Sequence, residues 1–361
     1  MNTTYMITSK STSTRTLITV LILTVLFANS STAQAQMMTT FATATIATTN
    51  STNGTSTANT AEAQTIVWPN IEASSAFIYD PVGNKILFEK NADTQRSMAS
   101  LLKLMTAATA DNILAVSPKL AEKALSVVAM KDEAPSDFAL PTKSTWLPDS
   151  LMSIMLLGSS NKAAETLASG LIPRSSFISL MNFNAKRLGL TQTYFRNPTG
   201  LTEVSKPTAK TGSKTNIATS TAGRLDVAGG VSTAREVAKL MWAVVAENPG
   251  LLDITARESI TIPNKVISTR SNANGARATS TVVTNTNKLL KDFPIVFSKT
   301  GFTENSGGNL AVVLQKNITS HPYVIVVLGS TQEKRFEDVA KLASTTLALI
   351  NTGTVNTVAT K

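Results

Sequence analysis

The stretch that decides the fold reads Arg96-Ser-Met-Ala-Ser-Leu-Leu-Lys-Leu-Met-Thr106. Within it, Ser100 and Lys103 stand three positions apart at the predicted start of a buried helix. Residues with this spacing are neighbours on a helix, about 5–6 Å apart between Cβ atoms, so the lysine amine can reach the serine hydroxyl. Because a serine hydroxyl attacks well only when a base takes its proton, the pair indicates an activated serine.

Lysine can be that base only when its amine is neutral. Burial favours the neutral form and lowers the pKa of a lysine, and the neighbours of Lys103 are apolar on both sides. The spacing also arises by chance, since Ser159 and Lys162 have it too. A helix start with a solvated lysine is therefore the alternative that the rest of the chain has to exclude.

The composition restricts the chemistry. The chain has 361 residues, of which 42% are hydrophobic, enough to bury a core in one large domain or two ordinary ones. It has no cysteine and one histidine, His321, so structural zinc, thiol catalysis, disulfides and iron–sulfur clusters lack ligands. His321 lies beside Pro322 in a predicted turn, which makes it a poor candidate for a Ser-His-Asp triad. We therefore predict no metal and no organic cofactor.

The formal net charge of +10 suits an anionic partner such as a nucleic acid, a membrane surface or an acidic polymer. Nucleic acid is the weakest of these, because aromatic residues make up only 5% of the chain and no dense run of Lys and Arg is present. We predict no nucleic-acid partner.

Residues 1–35 are typical of a secretory signal peptide. Lys10 and Arg15 precede an apolar run at 17–28, and Ala33-Gln-Ala35 follows as a small-residue cleavage site. The apolar run is shorter than the ~20 residues that a spanning helix needs. We predict export to the periplasm or extracytoplasmic envelope, with an uncleaved anchor as the alternative and as the one possible membrane contact.

Residues 36–65 are rich in Thr, Ala, Ser and Asn and predict a flexible linker, because they cannot bury enough apolar surface to become ordered. The folded domain is predicted at 66–350, with an exposed insertion at 203–224 and a tail at 351–361. A hairpin is predicted at 75–80 and 85–90, strands at 294–298, 309–314 and 323–329, and a closing helix at 332–350. Asp149 is predicted to cap one of the intervening helices, and Thr233-Ala-Arg-Glu236 forms a predicted capping box.

Strands at both ends with helices between them predict an α/β (α+β) fold, in which a helical subdomain is inserted into an antiparallel sheet flanked by helices. This arrangement lets three distant motifs meet in one cleft: Ser100-x-x-Lys103, Ser159-x-Asn161 and Lys299-Thr-Gly301. Taken singly, the second motif is a plausible helix cap and the third a plausible strand end. In this order and at these wide spacings, the three together resemble those of the penicilloyl-serine transferases.

The flanking sequence narrows the resemblance to the D-alanyl-D-alanine carboxypeptidases, the low-molecular-mass penicillin-binding proteins, over residues 66–350. The matching segments are Ala99-Ser-Leu-Leu-Lys-Leu-Met-Thr-Ala107, Leu180-Met-Asn182 with Arg187-Leu-Gly-Leu190, Asn197-Pro-Thr-Gly-Leu201, Ser232-Thr-Ala-Arg235, Thr284-Asn-Thr-Asn-Lys-Leu-Leu290 and Lys299-Thr-Gly-Phe-Thr303. The resemblance implies a β-lactamase/transpeptidase-like fold. The chain departs from many relatives in the insertion at 203–224 and in showing no appended C-terminal β domain or amphipathic anchor.

The resemblance implies a catalytic role for three side chains. Ser100 is the expected nucleophile and Lys103 its base, while Ser159 is expected to relay the proton between Lys103 and the leaving amine. The backbone N–H groups of Ser100 and Phe302 are the expected oxyanion hole.

The remaining expected site residues bind the substrate. Asn161 is expected to hold the substrate amide, and Lys299 and Thr300 its terminal carboxylate. Gly301 lets the ligand backbone approach the strand closely. A second triplet, Lys210-Thr-Gly212, lies in the low-complexity insertion and is not expected to be part of the site.

The implied reaction is hydrolysis of the terminal D-Ala-D-Ala bond of peptidoglycan stem peptides through an acyl-serine, with β-lactams as covalent inhibitors. A DD-endopeptidase that cuts cross-links would use the same residues, and the missing C-terminal domain slightly favours it. A β-lactamase is disfavoured because no clear Glu-x-x-x-Asn loop is present. A catalytically silent cell-wall-binding homologue is the alternative from another functional class.

Overall fold

The computed structural model describes residues 67–130, 140–205, 218–219, 225–263, 280–317, 319–352 and 359–360. All of these residues belong to one compact unit. The predicted signal peptide and linker, and the triplet at 210–212, lie outside the described residues.

The described residues contain sixteen strands. In chain order they are β1 (Ser75–Asp80), β2 (Lys85–Lys90), β3 (Arg96–Ser97), β4 (Leu125–Ser126), β5 (Thr145–Trp146), β6 (Tyr194–Phe195), β7 (Glu203–Ser205), β8 (Ala218–Thr219), β9 (Leu225–Val227), β10 (Gly230–Ser232), β11 (Ser259–Pro263), β12 (Ser280–Thr284), β13 (Ile295–Thr303), β14 (Gly307–Leu314), β15 (Tyr323–Ser330) and β16 (Ala359–Thr360).

The same residues contain eight α-helices and two 3₁₀-helices. The α-helices are α1 (Lys103–Val116), α2 (Pro118–Ala121), α3 (Pro148–Leu157), α4 (Asn161–Leu171), α5 (Arg174–Arg187), α6 (Ala234–Glu247), α7 (Leu252–Thr255) and α8 (Lys334–Thr352). The 3₁₀-helices are Ala99–Leu102, directly before α1, and Pro249–Leu251.

The main sheet has six strands in the order β13-β14-β15-β1-β2-β16. All neighbours pair antiparallel except β16, which runs parallel to β2. The first hairpin joins the last strands through the pairing of β1 with β15, where Phe77 lies opposite Val326. The predicted closure of one sheet from the two ends of the chain is confirmed, and it leaves β13 at an edge.

Both faces of this sheet are buried. Phe77 packs into one hydrophobic cluster with Leu104 of α1, whereas the next residue, Ile78, packs into a second cluster with Phe336 of α8. Successive side chains of a strand point to opposite faces, so the sheet separates the inserted helices from the closing helix α8. The predicted fold class, an antiparallel sheet flanked by helices with a helical insertion, is confirmed.

The segment Ala99–Val116 is the one described stretch long and apolar enough to cross a membrane, with a mean hydropathy of 1.2 over 18 residues. However, 67% of it is buried inside the protein. It is therefore the core helix that carries the serine-lysine pair.

Two predictions about helix starts need correction. Leu147 is the N-cap of α3, and Asp149 lies inside the first turn behind Pro148, because Pro is favoured at the first helical position. The predicted capping box is only half formed: Thr233 Oγ1 accepts the backbone N–H of Glu236 at 3.1 Å. The Glu236 carboxylate instead accepts from Thr193 Oγ1 at 2.6 Å, so it bonds to a distant residue and not back to its own helix cap.

Candidate active site

The residues 98–102, which we call the serine turn, are held in place by the strands around them. The backbone N–H of Met98 donates to the Gly230 carbonyl at 3.1 Å, and Asn309 Nδ2 donates to the Ser97 carbonyl at 3.1 Å. Ala99 adopts a left-handed backbone, with φ of +46°, directly before Ser100. Such a conformation persists only where the surrounding structure fixes it, so the position of Ser100 is imposed by the fold.

Lys103 is fully buried at the first residue of α1. Its Nζ lies 2.8 Å from Ser100 Oγ, 2.7 Å from Asn161 Oδ1 and 2.8 Å from the Thr199 carbonyl oxygen. The predicted proximity of the serine and the lysine is confirmed, and the alternative of a solvated lysine is wrong. The structure adds Asn161 and Thr199 as partners that orient the amine.

The Thr199 carbonyl belongs to a loop organised by Asn197. Asn197 Oδ1 accepts from the Thr199 N–H at 3.2 Å, from Thr199 Oγ1 at 3.1 Å and from the Gly200 N–H at 2.8 Å. Thr106 Oγ1, one turn along α1 from the lysine, donates to the Pro198 carbonyl at 2.7 Å. The matching segment at 197–201 therefore positions the oxygen that the Lys103 amine contacts, a role that the sequence analysis did not assign.

Two glycines let other segments pack against the serine turn. Gly200 has φ of +86°, and a Cβ there would lie 2.1 Å from the Ala99 carbonyl oxygen. A Cβ on Gly301 would lie 3.1 Å from the Met98 carbonyl oxygen and 3.2 Å from the backbone nitrogen of Ser100. Gly301 was predicted to admit the ligand backbone, and that stays a prediction; the structure shows that Gly301 admits the serine turn against the edge strand.

Ser159 and Asn161 occupy the start of α4 without capping it. The helix cap is Ser160, whose Oγ accepts the N–H of Ala163 at 3.3 Å. Ser159 has a left-handed backbone, with φ of +59°, and its Oγ lies 2.9 Å from Lys299 Nζ. The helix-cap alternative is therefore wrong for Ser159 and Asn161, because their side chains contact the two lysines.

Lys299 lies inside the edge strand β13. The strand runs from Ile295 to Thr303, so the prediction that it ends at the Lys-Thr-Gly triplet is wrong. Pairing with β14 continues through Thr303 and keeps the triplet extended. Lys299 is 1% exposed, and its Nζ also donates to the Thr300 carbonyl at 3.0 Å.

Thr300 shares a short hydrogen bond, 2.6 Å, with the hydroxyl of Thr286. Thr286 is itself anchored to α3, because its backbone N–H donates to the Leu157 carbonyl at 3.1 Å. Thr286 lies in the matching segment at 284–290, and its contact with Thr300 was not predicted. Phe302, two residues beyond Thr300, exposes its ring at the end of the strand.

His321 has no place in this cluster. Its side chain is half exposed in the connection between β14 and β15, where Nδ1 lies 3.2 Å from Asp80 Oδ2. His321 lies in the connection between two strands, as predicted, but directly after the turn at 319–320 and not in it.

A model of the D-alanyl-D-alanine carboxypeptidase family matches residues 57–332. The chain belongs to the D-alanyl-D-alanine carboxypeptidase family. It is 29% identical to a D-alanyl-D-alanine endopeptidase of Escherichia coli over 78% of this chain and 79% of that protein. It is 28% identical to the carboxypeptidase DacC of the same organism, over 78% of this chain and 63% of DacC.

Among solved structures, penicillin-binding protein D2 of Listeria monocytogenes in its cefotaxime-bound form is similar. The TM-score is 0.60 at 27% identity, and the match covers 77% of this chain and 99% of that one. The protein is thus a serine-type D-alanyl-D-alanine peptidase of this family, and its activity is hydrolysis of the D-alanyl-D-alanine bond of peptidoglycan.

Proposed function

We propose that Ser100 is the acylated nucleophile and that Lys103 is the base that activates it. The contact of 2.8 Å between Ser100 Oγ and Lys103 Nζ, in a buried place, carries this proposal. A neutral amine has two N–H donors and one lone pair. It can therefore donate to Asn161 Oδ1 and Thr199 O while it accepts the proton of Ser100.

The chemistry follows from this arrangement. The Ser100 oxygen forms a bond to the carbonyl carbon of the penultimate D-alanine as its proton passes to Lys103. The tetrahedral oxyanion is stabilised by the backbone N–H groups of Ser100 and Phe302. When the carbon–nitrogen bond breaks, the proton moves from Lys103 through Ser159 to the leaving amine of D-alanine. Water then hydrolyses the acyl-Ser100 ester and releases the shortened stem peptide.

Residues of the edge strand β13 are proposed to bind the free terminal carboxylate of the substrate. Lys299 and Thr300 supply a cation and a hydroxyl on one rigid strand, and Asn161 supplies an amide for the substrate backbone. This pairing of cation and hydroxyl supports carboxypeptidase activity on uncross-linked stem peptides. DD-endopeptidase activity is the second candidate, because the E. coli relative described above carries that name.

β-Lactams are proposed to acylate Ser100 as substrates do, which the cefotaxime-bound form of the Listeria relative supports. The signal-like residues 1–35, the linker at 36–65 and the net charge of +10 support a peptidase domain at 66–350 that acts on the anionic cell wall outside the cytoplasm.

Labelling with a fluorescent penicillin tests the nucleophile. The wild-type protein should form a covalent adduct, and Ser100→Ala should form none while keeping the thermal stability of the fold. An adduct of equal yield in Ser100→Ala would place the nucleophile elsewhere, and a wild-type protein that takes no label would support the silent cell-wall-binding alternative. Incubation with cross-linked and uncross-linked muropeptides, followed by mass analysis of the products, separates carboxypeptidase from endopeptidase.

A further inference from the structure

Arg335 is a buried cation at the back of the active-site strand. It lies in the first turn of α8 and is 8% exposed, and its Nη1 donates to the Gly301 carbonyl at 2.7 Å. Its Nε has no hydrogen-bond partner among the described residues. Burying a charge is costly unless it is compensated, so the position of this guanidinium calls for an explanation beyond packing.

The first turn of α8 fixes the guanidinium where it is. The Arg335 N–H donates to the Thr331 carbonyl at 3.2 Å, and the guanidinium carbon lies 4.7 Å from the centroid of the Phe336 ring. Asp338, three residues further along α8, accepts from Ser330 Oγ of β15 at 2.7 Å and so fastens the start of the helix to the sheet. Burial lowers the pKa of Arg335, with Glu333 opposing the change. An arginine nevertheless stays protonated in proteins, so the group is a fixed positive charge.

The direction of the Phe302 N–H follows from the strand geometry. The Ser298 N–H donates to Thr255 Oγ1 of α7 at 3.1 Å, so it points away from β14 and toward the open edge of β13. Backbone groups alternate along a strand, so the N–H groups of Thr300 and Phe302 point to the same open edge. In a planar trans peptide the C=O and the N–H point in opposite directions. The Phe302 N–H therefore points toward the cleft, and the Gly301 carbonyl points the other way, toward the β14 side, where Arg335 Nη1 donates to it.

We propose that Arg335 is a positioning residue that polarises the Gly301–Phe302 peptide and so strengthens the Phe302 N–H as a donor to the tetrahedral oxyanion. This inference rests on the proposed function, in which that N–H is part of the oxyanion hole. A cation at a carbonyl oxygen draws electron density from the amide nitrogen, and hydrogen bonds in a chain strengthen one another. The donor is prepared before the reaction and does not have to reorganise as charge develops.

The experiment compares Arg335→Gln, Arg335→Lys and a control, Lys334→Gln. Lys334 is the preceding residue and also a cation, but it is exposed and pairs with Glu337. Acylation by a penicillin is measured over a range of concentrations, which separates the initial dissociation constant from the maximal acylation rate. The infrared carbonyl band of the acyl-enzyme, made with a ¹³C-labelled penicillin carbonyl, reports the strength of the hydrogen bonds to that oxygen.

Arg335→Gln should lower the maximal acylation rate roughly tenfold without changing the initial dissociation constant, because the lost stabilisation belongs to the transition state. Its carbonyl band should move to higher frequency as the hydrogen bond weakens. Arg335→Lys, which keeps the charge, should recover part of the rate and of the band position. Lys334→Gln should match the wild type in both measurements.

An unchanged carbonyl band in Arg335→Gln would overturn the proposal, whatever happens to stability. A dissociation constant that weakens as much as the rate falls would also overturn it, because a merely structural role has that signature. If Arg335→Gln does not fold, Arg335→Lys decides: a lowered rate with a carbonyl band moved part of the way to higher frequency supports the proposal, whereas a wild-type band and rate contradict it. A wild-type protein that takes no penicillin would refute the proposed function itself.

Discussion

Lys103 and Lys299 are two buried lysines that contact the same short segment, residues 159–161, and they differ in the other groups that they contact. Lys103, at the start of α1, contacts the serine turn, α4 and the loop at 197–201 through Ser100, Asn161 and Thr199. Lys299, in the edge strand, contacts Ser159 and the carbonyl of its own neighbour, Thr300.

The two side chains have the same chemistry and almost the same burial, 0% and 1% exposed. The hydroxyl that each one contacts distinguishes them: Lys103 contacts the proposed nucleophile, Ser100, and Lys299 contacts Ser159, the residue proposed to relay the proton. Burial is nearly the same for both lysines, so the proposal of two different roles rests on the different acceptors that they contact.

Removing Lys103, the lysine at the start of α1, should have the largest effect on the acylation rate. Lys103→Ala should slow acylation by about 10³-fold, because the proposed general base is lost and such catalysis contributes roughly 10²–10⁴-fold. Stopped-flow acylation with a reporter penicillin measures the rate, and circular dichroism confirms the fold. Wild-type acylation in a folded Lys103→Ala protein would remove the distinction between the two lysines.

Removing Lys299, the lysine in the edge strand β13, should slow acylation less, and by an amount that depends on the substrate. Lys299→Ala should slow acylation by about 10²-fold with a D-Ala-D-Ala peptide, since a charge-assisted contact to the carboxylate is worth about 1.5–3 kcal/mol. With the C-terminally amidated peptide, most of this difference should vanish.

The matched controls are Lys341→Ala, which removes an exposed lysine paired with Glu337, and Lys210→Ala in the second triplet. Lys341→Ala should change the activation free energy of acylation by less than about 0.5 kcal/mol, as exposed substitutions usually do. Lys210→Ala is expected to have an equally small effect, because the triplet at 210–212 is not expected to be part of the site. If Lys299→Ala slows acylation equally with the free-carboxylate and the amidated peptide, Lys299 does not recognise the carboxylate. If Lys210→Ala slows acylation strongly, the site has been assigned to the wrong triplet.

A substitution in the loop at 197–201 disturbs the surroundings of Lys103 without changing a lysine. Gly200→Ala should lower the free energy of unfolding by about 1–3 kcal/mol, because the new Cβ meets the Ala99 backbone and the backbone has positive φ. Gly250→Ala is the control, since a Cβ there has no neighbour within 4 Å. Urea unfolding of both variants measures the difference, and equal stabilities would show that the loop does not press on the serine turn.

The smallest effect is expected at the exposed charges of α8. Hydrogen bonds from Lys334 and Lys341 lower the pKa of Glu337 from 4.5 to about 2. A depressed carboxyl pKa stabilises the folded state above the unfolded value, and this contribution is lost as the pH falls from 4.5 toward 2.

Glu337→Gln should therefore slightly lower the Tm near neutral pH, and the difference from the wild type should shrink below pH 4.5 and in high salt. Thermal melts between pH 2 and pH 7, at low and high salt, measure it. A difference that does not vary with pH would mean that Glu337 acts by packing and not by charge.

The features that could be predicted from the sequence depend on neighbours along the chain. The Ser100–Lys103 contact follows from helical spacing, and the hairpin of β1 and β2 from two short β-rich runs around a turn. The triplet at 299–301 was found in the right strand, but its position within the strand was wrong, because pairing with β14 decides how far the strand extends.

Other features were decided only by the tertiary structure. The Thr199 carbonyl is 96 positions from the lysine that it contacts, and Arg335 is 34 positions from the carbonyl that it binds. The sequence pattern also did not show that Ser160 caps α4 or that Ser159 contacts Lys299. Helical and strand periodicity specify which residues share a face of one element, whereas the packing of several elements around a buried charge decides which oxygen it meets.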